Sequence, residues 1–105
     1  MTNIKKILAA SVEHGASDIH INVGMPPVLR VNTDLLIMDL PEVDDAMAKA
    51  MIVEMVGQDK YGKFEQNRDL DFSTMIEDGS RFRVNAHYQK ESIAISFRAI
   101  SSEVP

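Results

Sequence analysis

The 105-residue chain has the size of one domain, and its 26% charged and 45% hydrophobic residues exclude a disordered tail and a chain built chiefly of membrane spans. It has no cysteine, so disulfides and thiolate metal sites are excluded and a reducing cytoplasm is the expected location. A formal net charge of −5 argues against nucleic acid as a partner, because affinity for phosphate backbones comes from clustered Lys and Arg.

Ile4, Ile7, Leu8 and Val12 recur at helical spacing, with Thr2 or Asn3 placed to cap the helix and Gly15 to end it. The apolar run is too short for a signal peptide or a spanning helix, and Glu13-His14 interrupts it. Asp18 to Val23 alternates polar and apolar residues, which predicts a strand; Gly24-Met25-Pro26-Pro27 predicts a turn. Val28–Val31 and Leu35–Met38 read as two strands joined by a bend at Asn32-Thr33-Asp34. Pro41 and Asp44 announce a helix whose expected apolar face is Met47, Ala50, Met51 and Met55, closed by Gly57. A second short helix is expected from about Asp59 to Asn67, with Tyr61 and Phe64 a turn apart. Three strands then complete the chain: Asp69–Met75, Arg81–Gln89 and Ser92–Ile100. Such segregated runs predict an α+β domain on an antiparallel sheet.

Parity registers the last three strands. Phe82, Val84 and Ala86 share one face; Arg81, Arg83, Asn85 and His87 share the other. A three-residue loop at Glu77-Asp78-Gly79, with Gly79 left-handed, sets Phe72 opposite Val84, Asp71 opposite Asn85 and Asp69 opposite His87. A tight turn at Lys90-Glu91 sets Phe97 opposite Val84 and Arg98 opposite Arg83.

None of the glycines belongs to a GxxxxGK[ST] or GxGxxG segment, so no phosphate-cradling loop is present in this sequence, and no serine stands in a nucleophile elbow. The arginine cluster is the main positive feature. Arg81, Arg83 and Arg98 present forked, always-charged donors suited to clamping a phosphate. The commonplace alternative is an exposed polar face in which Asp69 and Asp71 pair with those arginines, an arrangement that contributes little. Arg83 facing Arg98 is unfavourable in a bare sheet, which points towards an acidic or phosphate partner. His14, His20 and His87 lack a third ligand at a recognisable spacing even with Asp18 beside His20, so no metal site is expected. Asp69 and Asp71 read as ion-pair partners rather than a catalytic pair.

Several of these segments carry a family resemblance. Gly15-Ala16-Ser17-Asp18-Ile19-His20-Ile21 resembles the "GASDLH" segment near the start of type IV pilus retraction (twitching-motility, PilT-like) ATPases of the secretion ATPase superfamily. Gly24 to Asn32 is similar to their "GLPPMIRVDG", Asp69 to Ser73 to "TDFSF", Arg81 to Ala86 to "RFRVNA", and Phe97 to Ile100 to "FRTIP". The order and spacing agree over essentially the whole chain. The departures are Thr33, where the family usually has glycine, and Lys90-Glu91-Ser92, where a glycine-containing turn is common.

The resemblance implies that residues 1–105 form a single N-terminal PAS-like domain, an antiparallel sheet with helices packed on one face, with the linker to a RecA-like ATPase core expected where the sequence reaches Pro105. It implies a homohexameric motor for pilus retraction that uses ATP and Mg²⁺. The RecA-like cores of its own and neighbouring subunits and an inner-membrane pilus platform protein are the implied partners, at the cytoplasmic face of the inner membrane. Arg81 and Arg98, with Arg83 beside them, are the implied contacts to the nucleotide phosphates; the domain alone is expected to have no cofactor and no catalysis. The competing readings are a free-standing PAS-like ligand-binding module, without a marked haem or flavin pocket, and a purely oligomerising adaptor.

Overall fold

A computed structural model describes residues 4–100. The expected cap at Thr2 or Asn3 and the expected linker at Pro105 lie outside the described residues. The elements run α1 (Ile4–Glu13), β1 (Asp18–Asn22), β2 (Val28–Val31), β3 (Asp34–Ile37), α2 (Asp45–Val56), α3 (Gln58–Asn67), β4 (Asp69–Met75), β5 (Arg81–Gln89) and β6 (Ser92–Ile100). The strands form one antiparallel sheet in the order β3-β2-β1-β6-β5-β4, so the first strand enters between the second and the last.

One face of this sheet is apolar and the helices cover it. Ile19 pairs with Phe97, Phe97 with Val84 and Val84 with Phe72; the next apolar rung runs Ile21, Ile95, Ala86, Leu70. Ile4, Ile7 and Leu8 of α1, Ala48, Met51 and Ile52 of α2, and Tyr61 and Phe64 of α3 join the same core. The domain is therefore α+β, as the segregated elements predict. The registers expected for β4, β5 and β6 are all present, including Asp71 opposite Asn85, Asp69 opposite His87 and Arg98 opposite Arg83.

Two local differences have physical causes, and the expected tight turn at Lys90-Glu91 forms with an unusual residue pair. The buried stripe of α2 is Ala48, Met51 and Ile52, with Met47 and Met55 at its margins, while Ala50 is exposed. That helix is apolar nearly all round, so periodicity alone does not orient it, and an alanine loses little on either side. β3 starts one residue earlier than expected, because Val31 pairs directly with Asp34 and the bend shrinks to Asn32-Thr33. The left-handed residue there is Asn32, at φ 59°, a residue type that tolerates this region, so Thr33 does not need to be glycine. The β5–β6 turn keeps Lys90 and Glu91 both at positive φ, 52° and 68°, the conformation of a type I′ hairpin without its usual Asn-Gly.

Candidate functional site

The uncovered sheet face carries the charged residues, and the end of α1 determines where the first of them sits. Ser11 Oγ donates to Leu8 O at 2.6 Å. Ala16 N–H then donates to Ser11 O and Gly15 N–H to Val12 O, with Gly15 at φ 69°. This pair of bonds is a Schellman stop, which requires a residue without a Cβ penalty at the left-handed position. The chain leaves the helix straight into the sheet. Ser17 N–H donates to Arg30 O, and Ala99 N–H donates to Ser17 O, which locks the segment between β2 and β6.

Asp18 consequently stands in a cross-strand row: Arg30 on one side, Arg98 on the other, and Arg83 beyond Arg98. Arg98 Nε lies 3.4 Å from Asp18 Oδ1, and Arg30 Nε lies 3.8 Å from Asp18 Oδ2. Arg98 and Arg83 face each other with no acid between them. Among the described residues Arg81 and Arg83 make no side-chain hydrogen bond or salt bridge.

The pairing expected for the two β4 carboxylates is corrected. Asp69 and Asp71 do not pair with the arginines; both accept from Asn85 Nδ2, at 3.1 and 3.0 Å. Asn85 lies directly opposite Asp71 and its amide has two protons, so one side chain reaches both acids. Its Oδ1 lies 2.9 Å from His87 Nδ1, placing that histidine in the same network. The arginines are thereby left without the partners that the plain polar-face reading supplied.

A shallow depression of about 250 Å³ lies over this region, with Asp18, His20, Asp71, Arg83, Asn85 and Arg98 among its charged and polar walls. It brings together two of the arginines expected at a site, Arg83 and Arg98. Arg81 stands one rung along β5, exposed between Met75 and Ile100, outside the depression. Pockets that enclose a drug-sized ligand run from roughly 300 to 1,000 Å³, so this one suits a phosphate-sized group rather than an entire nucleotide. His14 is exposed in the turn after α1, away from His20 and His87 on the sheet. Among the described residues no group of three His, Cys, Asp or Glu is placed to hold a metal ion. None of their helices is long and apolar enough to cross a membrane.

Comparison with known proteins establishes the family and the fold. No protein-family model matches the chain. The type IV pilus retraction ATPase PilT of Pseudomonas aeruginosa is 35% identical over 102 residues, 97% of this chain and 30% of PilT. The chain is homologous to the N-terminal region of PilT. The type IV pilus ATPase PilU of the same organism is 26% identical over 96% of this chain and 26% of its own length. A crystal structure of the retraction motor PilT with bound ADP superposes with a TM-score of 0.88 at 30% identity, over 100% of this chain and 31% of that one. The chain thus spans about a third or less of the PilT and PilU chains it matches, and the fold is that of PilT's N-terminal domain.

Asp18 and Arg30 are the members of the charged row that sequence reasoning did not place in the site. Their signal was available: Asp18 is the acid of the Gly15–Ile21 segment, and Arg30 has the parity of a residue on the open face.

Proposed function

We propose that this chain works as the N-terminal domain of a hexameric type IV pilus retraction ATPase, lending arginines to the ATP phosphates while the chemistry occurs in a RecA-like core. The observation that carries this reading is the facing pair Arg83 and Arg98. Two guanidinium groups on adjacent strands, with no acid between them, border a phosphate-sized depression. Like charges opposed on a sheet are unfavourable unless an anion joins them. Homology to PilT and the ADP bound in a solved PilT support a nucleotide phosphate as that anion. Arg98 and Arg83 take the direct phosphate contacts, and Arg81 extends the positive edge towards a neighbouring domain.

Hydrolysis itself belongs to the core, because this sequence has no GxxxxGK[ST] segment to cradle phosphates and Mg²⁺. The partners are the cores of its own and the adjoining subunit, with the pilus platform protein reached through the assembled motor on the cytoplasmic side of the inner membrane. The test is a chimera in which this chain replaces the N-terminal region of P. aeruginosa PilT. It should assemble, hydrolyse ATP and restore twitching to cells lacking PilT. A chimera that assembles yet neither hydrolyses ATP nor restores twitching contradicts the proposal.

A further inference from the structure

Asp18 lies between guanidinium groups that come from two different strands, Arg98 within hydrogen-bond distance and Arg30 in a looser ion pair. Arg98 approaches with Nε at 3.4 Å and Arg30 with Nε at 3.8 Å. Ser17 Oγ donates to Asp18 Oδ2 at 2.9 Å, and the Ser17 backbone is bonded to both β2 and β6. The carboxylate is thus fixed at the junction of three strands with its side chain 18% exposed, while the Arg98 side chain is 79% exposed. A guanidinium has five N–H donors, one on Nε and four on its terminal nitrogens. An ion pair that satisfied the arginine would engage the fork in two parallel bonds. Here the terminal groups of Arg98 and Arg30 have no partner among the described residues.

We propose that Asp18 is a positioning residue, holding Arg98 by its Nε edge so that the fork stays free for a phosphate oxyanion in the depression. The inference rests on the phosphate-contact reading of Arg98 and adds Asp18 to it, a residue that never touches the ligand; Arg30, across Asp18 from Arg98, is not among the walls of the depression. The physical effect is pre-organisation. A long, exposed side chain must surrender rotamer freedom when it binds, and a fixed carboxylate at its Nε edge removes part of that loss beforehand.

Charge alone predicts the opposite sign. Neutralising Asp18 raises the net charge of the row, and an acid acting only through its charge would repel the oxyanion. The experiment is therefore a pyrophosphate titration of the ¹⁵N-labelled 105-residue chain at low ionic strength, followed at the arginine Nε–H resonances. Thermal unfolding of each variant reports the fold. Wild type should show saturating shifts at Arg98. Asp18→Ala should bind roughly two- to tenfold more weakly, the factor that ordering one long side chain represents. Its Arg98 Nε–H signal should move to the position of a freely solvated arginine. Asp18→Asn, which keeps an acceptor for Nε and remains isosteric, should fall between the two. Equal or tighter binding by both folded variants, with wild type still responding at Arg98, overturns the positioning role and leaves the phosphate reading standing. A wild-type chain whose Arg98 signal ignores pyrophosphate overturns both.

Discussion

Asp18 and Arg98, eighty residues apart in the chain, are direct neighbours across the β1–β6 ladder, with Arg98 Nε 3.4 Å from Asp18 Oδ1. The contact exists because the first strand enters the sheet beside the last, and it joins the segment after α1 to the end of the domain. The same pairing sets Ile19 against Phe97 on the opposite face, so the charged row and the core are held by one register.

The two faces of β5 should respond oppositely to truncation. Phe82 is 1% exposed in the core, and Arg81 beside it is exposed on the open face. Phe82→Ala should cost ~3–5 kcal/mol in urea unfolding through the cavity it leaves. Arg81→Ala should change stability by no more than about 0.5 kcal/mol. Comparable losses for both would mean that the sheet faces are misassigned.

This alternation is why the C-terminal half of the sheet was legible in the sequence. Phe82, Val84 and Ala86 against Phe72 and Phe97 leave one register that turns every one of these aromatics to the covered face, and short loops leave the strands no other neighbours. The β1–β6 pairing was not legible, because periodicity describes a strand and is silent on which distant strand it joins. Asp18 and Arg30 therefore entered the candidate site only with the fold. The acids of β4 were placed correctly opposite Asn85 and His87, but an amide with two donors, not an arginine, took them. In α2 the sequence was ambiguous for a different reason: Met47, Ala48, Ala50, Met51 and Ile52 are all apolar, so several stripes fit.

The β5–β6 turn holds a removable strain. Lys90 and Glu91 sit at φ 52° and 68°, a region that costs an ordinary L-residue about 1–2 kcal/mol. Glu91→Gly should raise stability by about 1 kcal/mol, since glycine adopts this conformation freely and the second position of a type I′ turn favours it. Chemical denaturation measures the change; a destabilised variant would show that the turn has another geometry.

Tyr61 should titrate late. Burial, followed by the neighbouring Tyr88 and Glu65, pushes its phenol from the ordinary value of 10.0 up to about 12. The folded state thus binds this proton more tightly than the unfolded state does. Its contribution to stability is complete below pH 10 and is lost as pH rises towards 12. A spectrophotometric titration of wild type against Tyr61→Phe isolates the phenolate signal. A Tyr61 midpoint at pH 10 would remove the basis for this alkaline loss.

The claim that the open face meets nucleotide phosphate is tested most directly by ATP turnover in the PilT chimera carrying Arg98→Ala, Arg83→Ala, Arg81→Ala and the Arg83/Arg98 double change. Arginines supplied to a transferring phosphoryl group are worth roughly 10³–10⁵ in rate in related systems. Shared between neighbouring residues, each should account for less, and the pair should be non-additive. Arg98→Ala should lower turnover by roughly tenfold or more with assembly and melting temperature unchanged, and Arg98→Lys should rescue poorly for lack of the fork. Unchanged turnover in the Arg83/Arg98 double variant of an assembled, active chimera would contradict the account and reduce the row to a solvated face.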